Sequence, residues 1–450
     1  MIPTIEHVER WADPFIDRLL DEEPAILLEG PRGSGKSTLL RSIAHRRNAL
    51  VLDLDDDSVL QLVREDVGSA LASPGLVAID EFHRAPEVLS FVKRVVDRQG
   101  GAARFLLAGS VSSFLLPPGT ETLTGRAHRL SLMPLAAAEI FGAKHRWLAE
   151  LLADGEPRNF RTTLERADVF DVVAAGGYPA ALRRATPAQR TRWFASYLST
   201  VTDRDLPDLI DVRHSGALSR LYRLIAQRTS STAVNTELSQ ALDITPPTAA
   251  SYRRLLERLY VTTELPGWTV GVSAKTGHRA KVHVTDTGLA AGVLSLSAQR
   301  LATAAMGGAF LESFVVAELT RQTTTIDEAL TFAHFRDRSG VEVDVIIERP
   351  DGSVVAIEVK SARSVNPRDA SGLMFLRDRL GDRFQCGILL HTGPLTARLG
   401  ERVWAVPVAA LWDGVSRGPG FVRERQDVRS QKARLSSPPS QWTCRSPPRV

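Results

Sequence analysis

Short apolar runs alternate with amphipathic segments over the first 140 residues. Four runs, at residues 25–28, 50–54, 76–79 and 104–109, have the length and composition of buried strands. Between them, residues such as those of 37–47 and 87–98 place apolar side chains at helical spacing. Since strands that alternate with helices are joined by crossover connections, this pattern predicts a parallel α/β sheet for residues 1–140.

The pattern becomes helical after residue 140. Residues 141–215 indicate helices that are broken at Gly176-Gly177-Tyr178-Pro179, where the Gly-Gly and Tyr-Pro pairs favour a turn. They contain no recognisable catalytic constellation. We therefore expect this segment to be a helical lid or connector.

Residues 216–270 predict three helices followed by a short strand. The helices cover 218–228, 235–242 and a segment that runs from Pro246 to about residue 260, with Thr245 as a suitable N-cap. The run 261–265 would then form a wing. This order predicts a winged helix-turn-helix whose last helix presents Arg253 and Arg254 to a DNA major groove. The alternative is a module of the same shape that contacts only protein.

Residues 281–412 return to an α/β pattern with two-residue alternation. In Val341-Glu342-Val343-Asp344-Val345 the acidic side chains share one face, and in residues 355–360 Glu358 and Lys360 share one face. An amphipathic helix over 309–321 carries Glu312. The two strands would bring Asp344, Glu358 and Lys360 to a common site.

One motif carries the most specific chemistry, and it follows the first predicted strand directly. Its spacing, G-x-x-x-x-G-K-[ST], is that of a phosphate-binding loop, where backbone N–H groups surround phosphate oxygens at a helix start. The lysine would reach the β and γ phosphates, and the first hydroxyl would ligate Mg²⁺. The motif residues are Gly30, Pro31, Arg32, Gly33, Ser34, Gly35, Lys36, Ser37 and Thr38.

An acidic pair ends the third predicted strand. In a parallel sheet, ligands lie at the carboxyl ends of strands, so Asp80 and Glu81 are expected beside the phosphate loop. Asp80 would hold Mg²⁺ and Glu81 would orient the attacking water. Ser110, after the fourth strand, is near the place of a γ-phosphate sensor.

The C-terminal carboxylates suggest a second chemistry. Asp344 and Glu358, with Glu312 as a further ligand, could hold a divalent metal against a phosphodiester, while Lys360 orients or deprotonates water. The alternative is a degenerate site or a charged solvent face.

These motifs resemble known families. Residues 24–140 resemble AAA-type ATPases, in which the residues at Gly30–Thr38 bind phosphate and those at Asp80-Glu81 serve magnesium and water, although Ser110 replaces a frequent Asn. Residues 305–395 resemble the restriction-endonuclease-like PD-(D/E)xK superfamily, without its adjacent Pro and Asp. The whole chain to about residue 412 resembles bacterial and archaeal AAA-type ATP-binding proteins that join an N-terminal ATPase, a helix-turn-helix and a C-terminal nuclease-like domain of unknown function. Three strings support this resemblance: Gly176-Gly177-Tyr178-Pro179, Asp286-Thr287-Gly288-Leu289 and Leu311-Glu312-Ser313-Phe314-Val315.

Composition narrows the class of protein. The 450 residues are 43% hydrophobic, with no apolar run long enough to span a bilayer and no secretory signal, so we expect a cytoplasmic protein without a membrane partner. Two cysteines exclude a thiolate-rich zinc cluster. Residues 421–450 contain seven Lys and Arg and two acidic residues, so their net charge of +5 exceeds the +4 of the whole chain. We expect these residues to form a disordered basic tail.

The sequence therefore predicts an α/β protein with a P-loop AAA-type domain (1–140), a helical connector (141–215), a winged helix (216–270), a smaller restriction-endonuclease-like α/β domain (281–412) and a tail. The phosphate loop does not distinguish ATP from GTP, and the family resemblance implies ATP. ATP and Mg²⁺ are thus the expected cofactors, and DNA and a second copy of the chain are candidate partners. The leading hypothesis is a Mg²⁺-dependent ATPase whose nucleotide state controls a DNA-binding or nuclease-like module. The alternative is a slow nucleotide switch or scaffold with an inactive nuclease-like domain and protein partners only.

Overall fold

A five-stranded parallel sheet organises the N-terminal part of the chain, with strand order β2-β3-β4-β1-β5. The computed structural model describes residues 2–3, 8–99, 104–110, 123–144, 146–205, 216–269 and 279–413. The strands of this sheet are β1 (Ala25–Glu29), β2 (Leu50–Asp53), β3 (Val77–Asp80), β4 (Phe105–Ala108) and β5 (His128–Ser131).

Helices cover both faces of this sheet, which explains why β1 is buried along its whole length. Ile26 and Leu28 pack with α1 and α2, whereas Ala25 and Leu27 pack with the helices of the opposite face. The helices are α1 (Ala12–Glu22), α2 (Lys36–Arg46), α3 (Asp57–Glu65), α4 (Val67–Ala70) and α5 (Glu87–Gln99). The predicted parallel sheet is thus confirmed.

The local sequence pattern did not predict the fifth strand, β5, for a physical reason. Among the described strands β5 pairs with β1 alone, at the sheet edge, and Leu130 is its one buried residue. An edge strand with polar neighbours has no apolar run to reveal it.

Helices dominate the middle of the chain. Those of the connector are α6 (Ala137–Ile140), α7 (Trp147–Asp154), α8 (Arg166–Ala175), α9 (Pro179–Leu182) and α10 (Pro187–Ser199), followed by a π-helical turn over Thr200–Asp205. Next come α11 (Ala217–Gln227), β6 (Ser231–Thr232), α12 (Asn235–Leu242), α13 (Pro246–Arg258) and β7 (Thr262–Leu265). Thr245 caps α13 as expected, since its hydroxyl accepts the Thr248 N–H.

A seven-stranded mixed sheet forms the C-terminal part, in the order β14-β15-β13-β12-β11-β10-β8. Its strands are β8 (Gly267–Trp268), β10 (Thr331–Arg336), β11 (Glu342–Glu348), β12 (Val354–Lys360), β13 (Phe384–His391), β14 (Ala397–Gly400) and β15 (Val403–Pro407). The remaining helices are α14 (Thr287–Val293), α15 (Ala298–Thr303), α16 (Gly307–Thr323) and α17 (Ser371–Leu380). α16 packs in the core on one face of the sheet and α17 on the other.

Two strands, β8 and β9 (Lys281–Val284), pair across the predicted boundary between the winged-helix segment (216–270) and the C-terminal domain (281–412). β9, expected to open the C-terminal domain, pairs antiparallel with β6 and β7 in a separate three-stranded sheet. Conversely β8, which falls within the predicted winged-helix segment of residues 216–270, pairs with β10 of the large sheet. Strand pairing depends on distant partners, so a boundary drawn from local pattern misses such an exchange.

A buried ionic network joins the connector to α16. Asp286 accepts the Gly177 N–H (2.7 Å) and a bond from Arg321 (3.2 Å), and Arg321 also pairs with Glu318 (2.7 Å). Glu318 in turn accepts the Ala137 N–H at 2.9 Å. Two of the family-like strings, around Gly177 and Asp286, therefore meet in one site of the fold.

The described residues all belong to one compact unit, Met1–Gly414. Within them, no helix is long and apolar enough to cross a membrane. The tail predicted for residues 421–450 lies outside the described residues.

Candidate nucleotide site and C-terminal carboxylate cluster

The phosphate loop connects β1 to α2 and has the backbone that its glycines permit. Gly33 and Gly35 have φ values of 74° and 101°, in the left-handed region. Gly30 has φ 145°, and a Cβ there would lie 2.3 Å from the Leu132 carbonyl oxygen. Glycine is therefore required at Gly30 for space and at the other two positions for conformation.

Lys36 begins α2 and is buried, with 4% of its surface exposed. Its Nζ donates to the carbonyl oxygens of Gly30 and Pro31, both at 2.9 Å. Burial lowers the pKa of Lys36 to about 8, against the opposing charges of Glu81 and Asp80. The ammonium thus lies in the loop, held by neutral carbonyl groups and poorly compensated in charge.

Asp80 ends β3 and is almost fully buried. Burial raises the pKa of Asp80 above its ordinary value, and a hydrogen bond from Ser37 partly offsets this effect. Arg41 Nη2 lies 3.6 Å from Asp80 Oδ2 and 2.6 Å from Asp53 Oδ2. The structure therefore brings the predicted magnesium ligands Ser37 and Asp80 together.

Glu81 has a left-handed backbone (φ 52°, ψ 45°) just beyond β3. Its Oε2 accepts both the N–H (3.0 Å) and the hydroxyl (2.9 Å) of Ser110, and lies 3.2 Å from His83 Nδ1. Burial alone would raise the pKa of Glu81, but the interactions with His83, Lys36 and Ser110 outweigh it and bring that pKa to about 2. Glu81 is thus an ionised carboxylate with a fixed orientation, and Ser110 contacts this carboxylate.

A cavity of about 320 Å³ opens at the phosphate loop. Its lining combines the loop and Glu81 with residues of the N-terminus and of the connector, among them Arg10, Pro179 and Arg183. Arg10 donates to the carbonyl oxygens of Ser34 and Met133, both at 2.7 Å, and to the Glu139 carboxylate at 3.1 Å. A ligand in this cavity would therefore contact both the ATPase sheet and the connector.

The loop also touches the aromatic cluster of the connector. The Tyr197 hydroxyl donates to the Arg32 carbonyl oxygen (3.0 Å) and lies 3.1 Å from the Tyr178 hydroxyl. Tyr178 is fully buried, and its ring contacts Trp193, Phe194 and Tyr197. A change in the conformation of the phosphate loop would therefore alter this contact with the connector directly.

The predicted C-terminal site residues do approach one another, and a residue from outside the prediction lies among them. Asp344 on β11 and Glu312 on α16 are both buried. Between them lies Lys281 of β9, whose Nζ is 2.9 Å from Glu312 Oε1, 3.1 Å from Asp344 Oδ1 and 2.7 Å from Glu342 Oε1. We call Lys281, Glu312, Glu342, Asp344 and Glu358 the carboxylate cluster.

Glu358 and Lys360 lie beside this centre on β12. Lys360 Nζ donates to Glu358 Oε1 at 2.5 Å, and the backbone N–H of Val359 donates to Asp344 Oδ2 at 2.9 Å. Burial, reinforced by the charge of Asp344, raises the pKa of Glu358 to about 8, and the same causes raise the pKa of Glu312 to about 8. The pair of predicted strands thus delivers its acidic side chains to one place.

A divalent metal does not fit the cluster as it stands. An ammonium group has three donors, and the three carboxylate contacts of Lys281 use all of them at the position that a cation would take. Among the described residues, no group of three or more His, Cys, Asp or Glu side chains has an arrangement suited to a metal ion. The cation at this position is the ammonium group of Lys281.

The predicted DNA face of α13 differs from the expectation at Arg253. Its guanidinium pairs with the Glu264 carboxylate and donates to Asn235 Oδ1 at 2.6 Å, so it fastens α13 to α12 and β7. Arg254 remains exposed, with Nη2 donating to Ser251 Oγ at 3.1 Å. Of the two predicted contact residues, Arg254 alone keeps an exposed head group.

Prediction missed three residues that contact these sites. The alternation Lys281-Val282-His283-Val284 signals that Lys281 and His283 share a face, but only the fold shows what that face meets. Arg10 and Tyr197 carry no local signal, because their partners, which are backbone carbonyl groups and for Arg10 also the Glu139 carboxylate, lie far away in sequence.

Three family models match successive parts of the chain. Residues 22–141 match an AAA domain, residues 166–300 match a domain of unknown function (DUF8612), and residues 307–411 match a domain of unknown function (DUF4143). The chain therefore carries an AAA-type P-loop ATPase domain and a C-terminal DUF4143 domain. This fold supports the binding and hydrolysis of ATP.

The chain is also similar to two curated proteins and to several solved structures. The uncharacterized proteins Rv2008c of Mycobacterium tuberculosis and Mb2031c of Mycobacterium bovis are each 25% identical over 374 residues, 82% of this chain and 78% of theirs. The Walker-type ATPase PABY2304 of Pyrococcus abyssi is 14% identical, with 65% of this chain and 98% of that chain covered and a TM-score of 0.40. The Thermotoga maritima RuvB Holliday junction branch migration motor is 18% identical, with 59% and 93% covered and a TM-score of 0.28.

Proposed function

We propose that this chain is a Mg²⁺-dependent ATPase whose nucleotide state is transmitted to its helical connector and C-terminal domain. One observation carries the proposal: Lys36 and Glu81 line a single cavity at the phosphate loop, and Pro179 and Arg183 of the connector line the same cavity. A triphosphate in that cavity would meet both the hydrolytic residues and the part of the chain that must respond.

Each residue of the loop has a role that its chemistry suits. The N–H groups of Gly33–Thr38 and the Lys36 ammonium would hold the phosphates. Ser37 and Asp80 offer oxygen ligands of the kind that Mg²⁺ prefers, and their mutual hydrogen bond supports a shared site. The bound ion would neutralise phosphate charge. Glu81, ionised and oriented by Ser110, would accept a hydrogen bond from the attacking water.

Steady-state phosphate release tests this assignment. Lys36→Ala should abolish turnover, and Glu81→Gln should lower it by at least about 100-fold while ATP binding persists, because a neutral amide cannot polarise water as a carboxylate does. Lys144→Ala and Glu65→Gln, which change exposed residues of the same types, are the matched controls. Normal turnover in Lys36→Ala or Glu81→Gln would refute the proposal.

For the module at residues 216–284 we propose a winged helix that contacts DNA. The order α11-β6-α12-α13-β7 supports this fold, together with β9, which follows β8 in the chain and pairs antiparallel with β6 and β7. Exposed Arg254 on α13 supports a phosphate contact. Affinity for duplex DNA should fall steeply with salt and should weaken in Arg254→Ala but not in Arg300→Ala. Absence of binding at low salt would favour a protein partner instead.

A second candidate function is a nucleotide switch whose C-terminal domain binds without cleaving. Lys281 favours it, because its ammonium takes the place of a catalytic cation among Glu312, Glu342 and Asp344. Plasmid and single-stranded DNA incubated with Mg²⁺ or Mn²⁺ should remain intact with both the native chain and Asp344→Ala. Cleavage by the native chain that disappears in Asp344→Ala would instead establish Asp344, Glu358 and Lys360 as a nuclease site.

A further inference from the structure

Arg10, which precedes α1, reaches the phosphate loop with its guanidinium group. Its Nη1 donates to the Ser34 carbonyl oxygen and its Nη2 to the Met133 carbonyl oxygen, both at 2.7 Å, and its Nε donates to Glu139 Oε1 at 3.1 Å. Each of the three guanidinium nitrogens therefore has an acceptor within the protein. Because the group is planar, three acceptors fix its orientation, so the Ser34 carbonyl meets a donor in a defined position.

Glu139 holds this guanidinium from α6 of the connector. The Glu139 side chain is only 5% exposed, and its carboxylate also accepts the backbone N–H groups of Trp11 (2.8 Å) and Ala136 (2.9 Å). Rotation of the buried carboxylate would leave these donors unpaired, which is costly. The position of Arg10 is therefore set by the connector as well as by the start of α1.

The contact with Ser34 sets the direction of the next N–H group in the phosphate loop. Ser34 is fully buried, so water does not replace Arg10 at its carbonyl oxygen. The peptide bond between Ser34 and Gly35 is planar and trans, so its N–H points away from its carbonyl oxygen. By holding that oxygen, Arg10 orients the Gly35 N–H, which belongs to the groups expected to surround phosphate oxygens.

The connector holds a second carbonyl group of the loop in the same way. The Tyr197 hydroxyl donates to the Arg32 carbonyl oxygen at 3.0 Å, which sets the direction of the Gly33 N–H. Gly33 and Gly35 both have positive φ values, and glycine has more backbone freedom than any other residue. Hydrogen bonds from outside the loop therefore supply a constraint at these two peptide groups that glycine itself does not provide.

We propose that Arg10 is a positioning residue for phosphate binding, which keeps the Gly35 N–H of the free loop in the direction that the α and β phosphates require. A loop ordered before binding does not lose that conformational freedom on binding, so the affinity for phosphates increases. The acceptors of Arg10 are Ser34, Met133 and Glu139, not the hydrolytic residues, so turnover at saturation depends little on it. The inference rests on the proposed function, because it requires that the loop binds nucleotide phosphates.

Calorimetric titration of the full-length chain with ADP and Mg²⁺ tests the proposal. Arg10→Ala and Arg10→Lys should each raise the Kd of ADP by at least about tenfold, because a charge-assisted hydrogen bond to the loop is lost. Lysine keeps the charge but has no planar fork to reach three acceptors. Inorganic tripolyphosphate, which carries no base, should lose affinity by the same factor. Arg300→Ala, at an exposed arginine, is the matched control and should bind as the native chain does.

Steady-state turnover separates positioning from a general loss of structure. In both Arg10 variants the KM for ATP should rise with the Kd of ADP, while kcat changes by less than about threefold, since Lys36 and Glu81 are retained. A smaller folded fraction would instead lower kcat and the number of ADP sites at unchanged affinity, and that result overturns the proposal.

Three other results also overturn the proposal. Native affinity in Arg10→Lys would show that the charge alone is sufficient. Weaker binding of ADP with unchanged binding of tripolyphosphate would show that Arg10 acts on the nucleoside. If Arg10→Ala does not fold, Arg10→Lys decides, and failure of both to fold would assign Arg10 to the stability of the fold. Absence of turnover in the native chain contradicts the proposed ATPase function alone, because ADP and tripolyphosphate binding still test Arg10.

Discussion

The low pKa of Lys36 makes ATP affinity depend on pH in a defined direction. In the free protein burial lowers this pKa from its ordinary value of 10.5 to about 8, so the side chain is mainly neutral above pH 8. A bound triphosphate surrounds the amine with negative charge and favours the ammonium form. Binding between pH 8 and 10.5 must therefore take up a proton, whereas binding below pH 8 need not.

The size of the change in ATP affinity follows from the lowered pKa of Lys36. If the triphosphate restores the pKa to about 10.5, the affinity falls by a factor of about ten for each pH unit above 8. Between pH 7 and pH 9 the dissociation constant should thus rise about tenfold, or about 1.4 kcal/mol. The same shift makes the folded state of the free protein more stable as the pH rises from about 8 toward 10.5, since the unfolded chain keeps the higher pKa.

Isothermal titration calorimetry with Mg²⁺ and ATP from pH 7 to 9.5 measures the affinity. Repeating it in two buffers of different ionisation enthalpy gives the proton uptake, which should rise from near zero at pH 7 to about one at pH 9. Other charged groups face Lys36, namely Glu81, Asp80, Arg32 and Glu29. Lys36→Arg keeps these groups and replaces the titrating amine with a bulkier guanidinium that stays charged, so the affinity that this variant retains should not fall in the same way between pH 7 and pH 9. A flat affinity in the native chain, or an equal loss in Lys36→Arg, would refute the reasoning.

Three further predictions concern the contacts between domains, each measured by urea unfolding beside ATP turnover. Tyr197→Phe removes one hydrogen bond to the phosphate loop and should cost about 1 kcal/mol, with a changed turnover; unchanged turnover would mean that the bond does not position the loop. Arg321→Met leaves the carboxyl groups of Asp286 and Glu318 buried without their cation and should cost about 3–5 kcal/mol, whereas a loss below 1 kcal/mol would contradict the buried network. Gly288→Ala places a Cβ 2.4 Å from the Gly176 backbone nitrogen and should cost several kcal/mol; normal stability would show that α14 can move away from the backbone of Ala175 and Gly176.

Local pattern was sufficient for the ATPase sheet. Four of its five strands, the helix after the phosphate loop and the helix of residues 87–98 follow from runs of side chains that are neighbours in sequence. Strand β5 did not, because it is an edge strand with one buried residue. The cap at Thr245 was predictable for the same reason as the sheet, since a helix start depends on only a few consecutive residues.

The C-terminal site shows the limit of local pattern. Alternation along β11 and β12 predicted that Asp344, Glu358 and Lys360 would share a site, and the antiparallel register that pairs Val345 with Ile357 brings these strands together. Neither strand contains any sign of Lys281, which is 63 residues from Asp344 in sequence. The same limit explains Arg253, whose acidic partner Glu264 lies on a strand that only the fold places beside α13.

The sequence by itself thus determined the chemistry of the phosphate loop, because its spacing forces a helix start, a glycine backbone and a lysine into one short segment. It also determined which carboxylates could meet in the C-terminal sheet. Only the tertiary structure decided which cation they meet, since β9 pairs with distant strands and carries Lys281 into the cluster. The hydrogen bond from Tyr197 of the connector to the Arg32 carbonyl oxygen also depends on the tertiary structure. Every residue has a backbone carbonyl group, so the sequence around Tyr197 gives no sign of this partner.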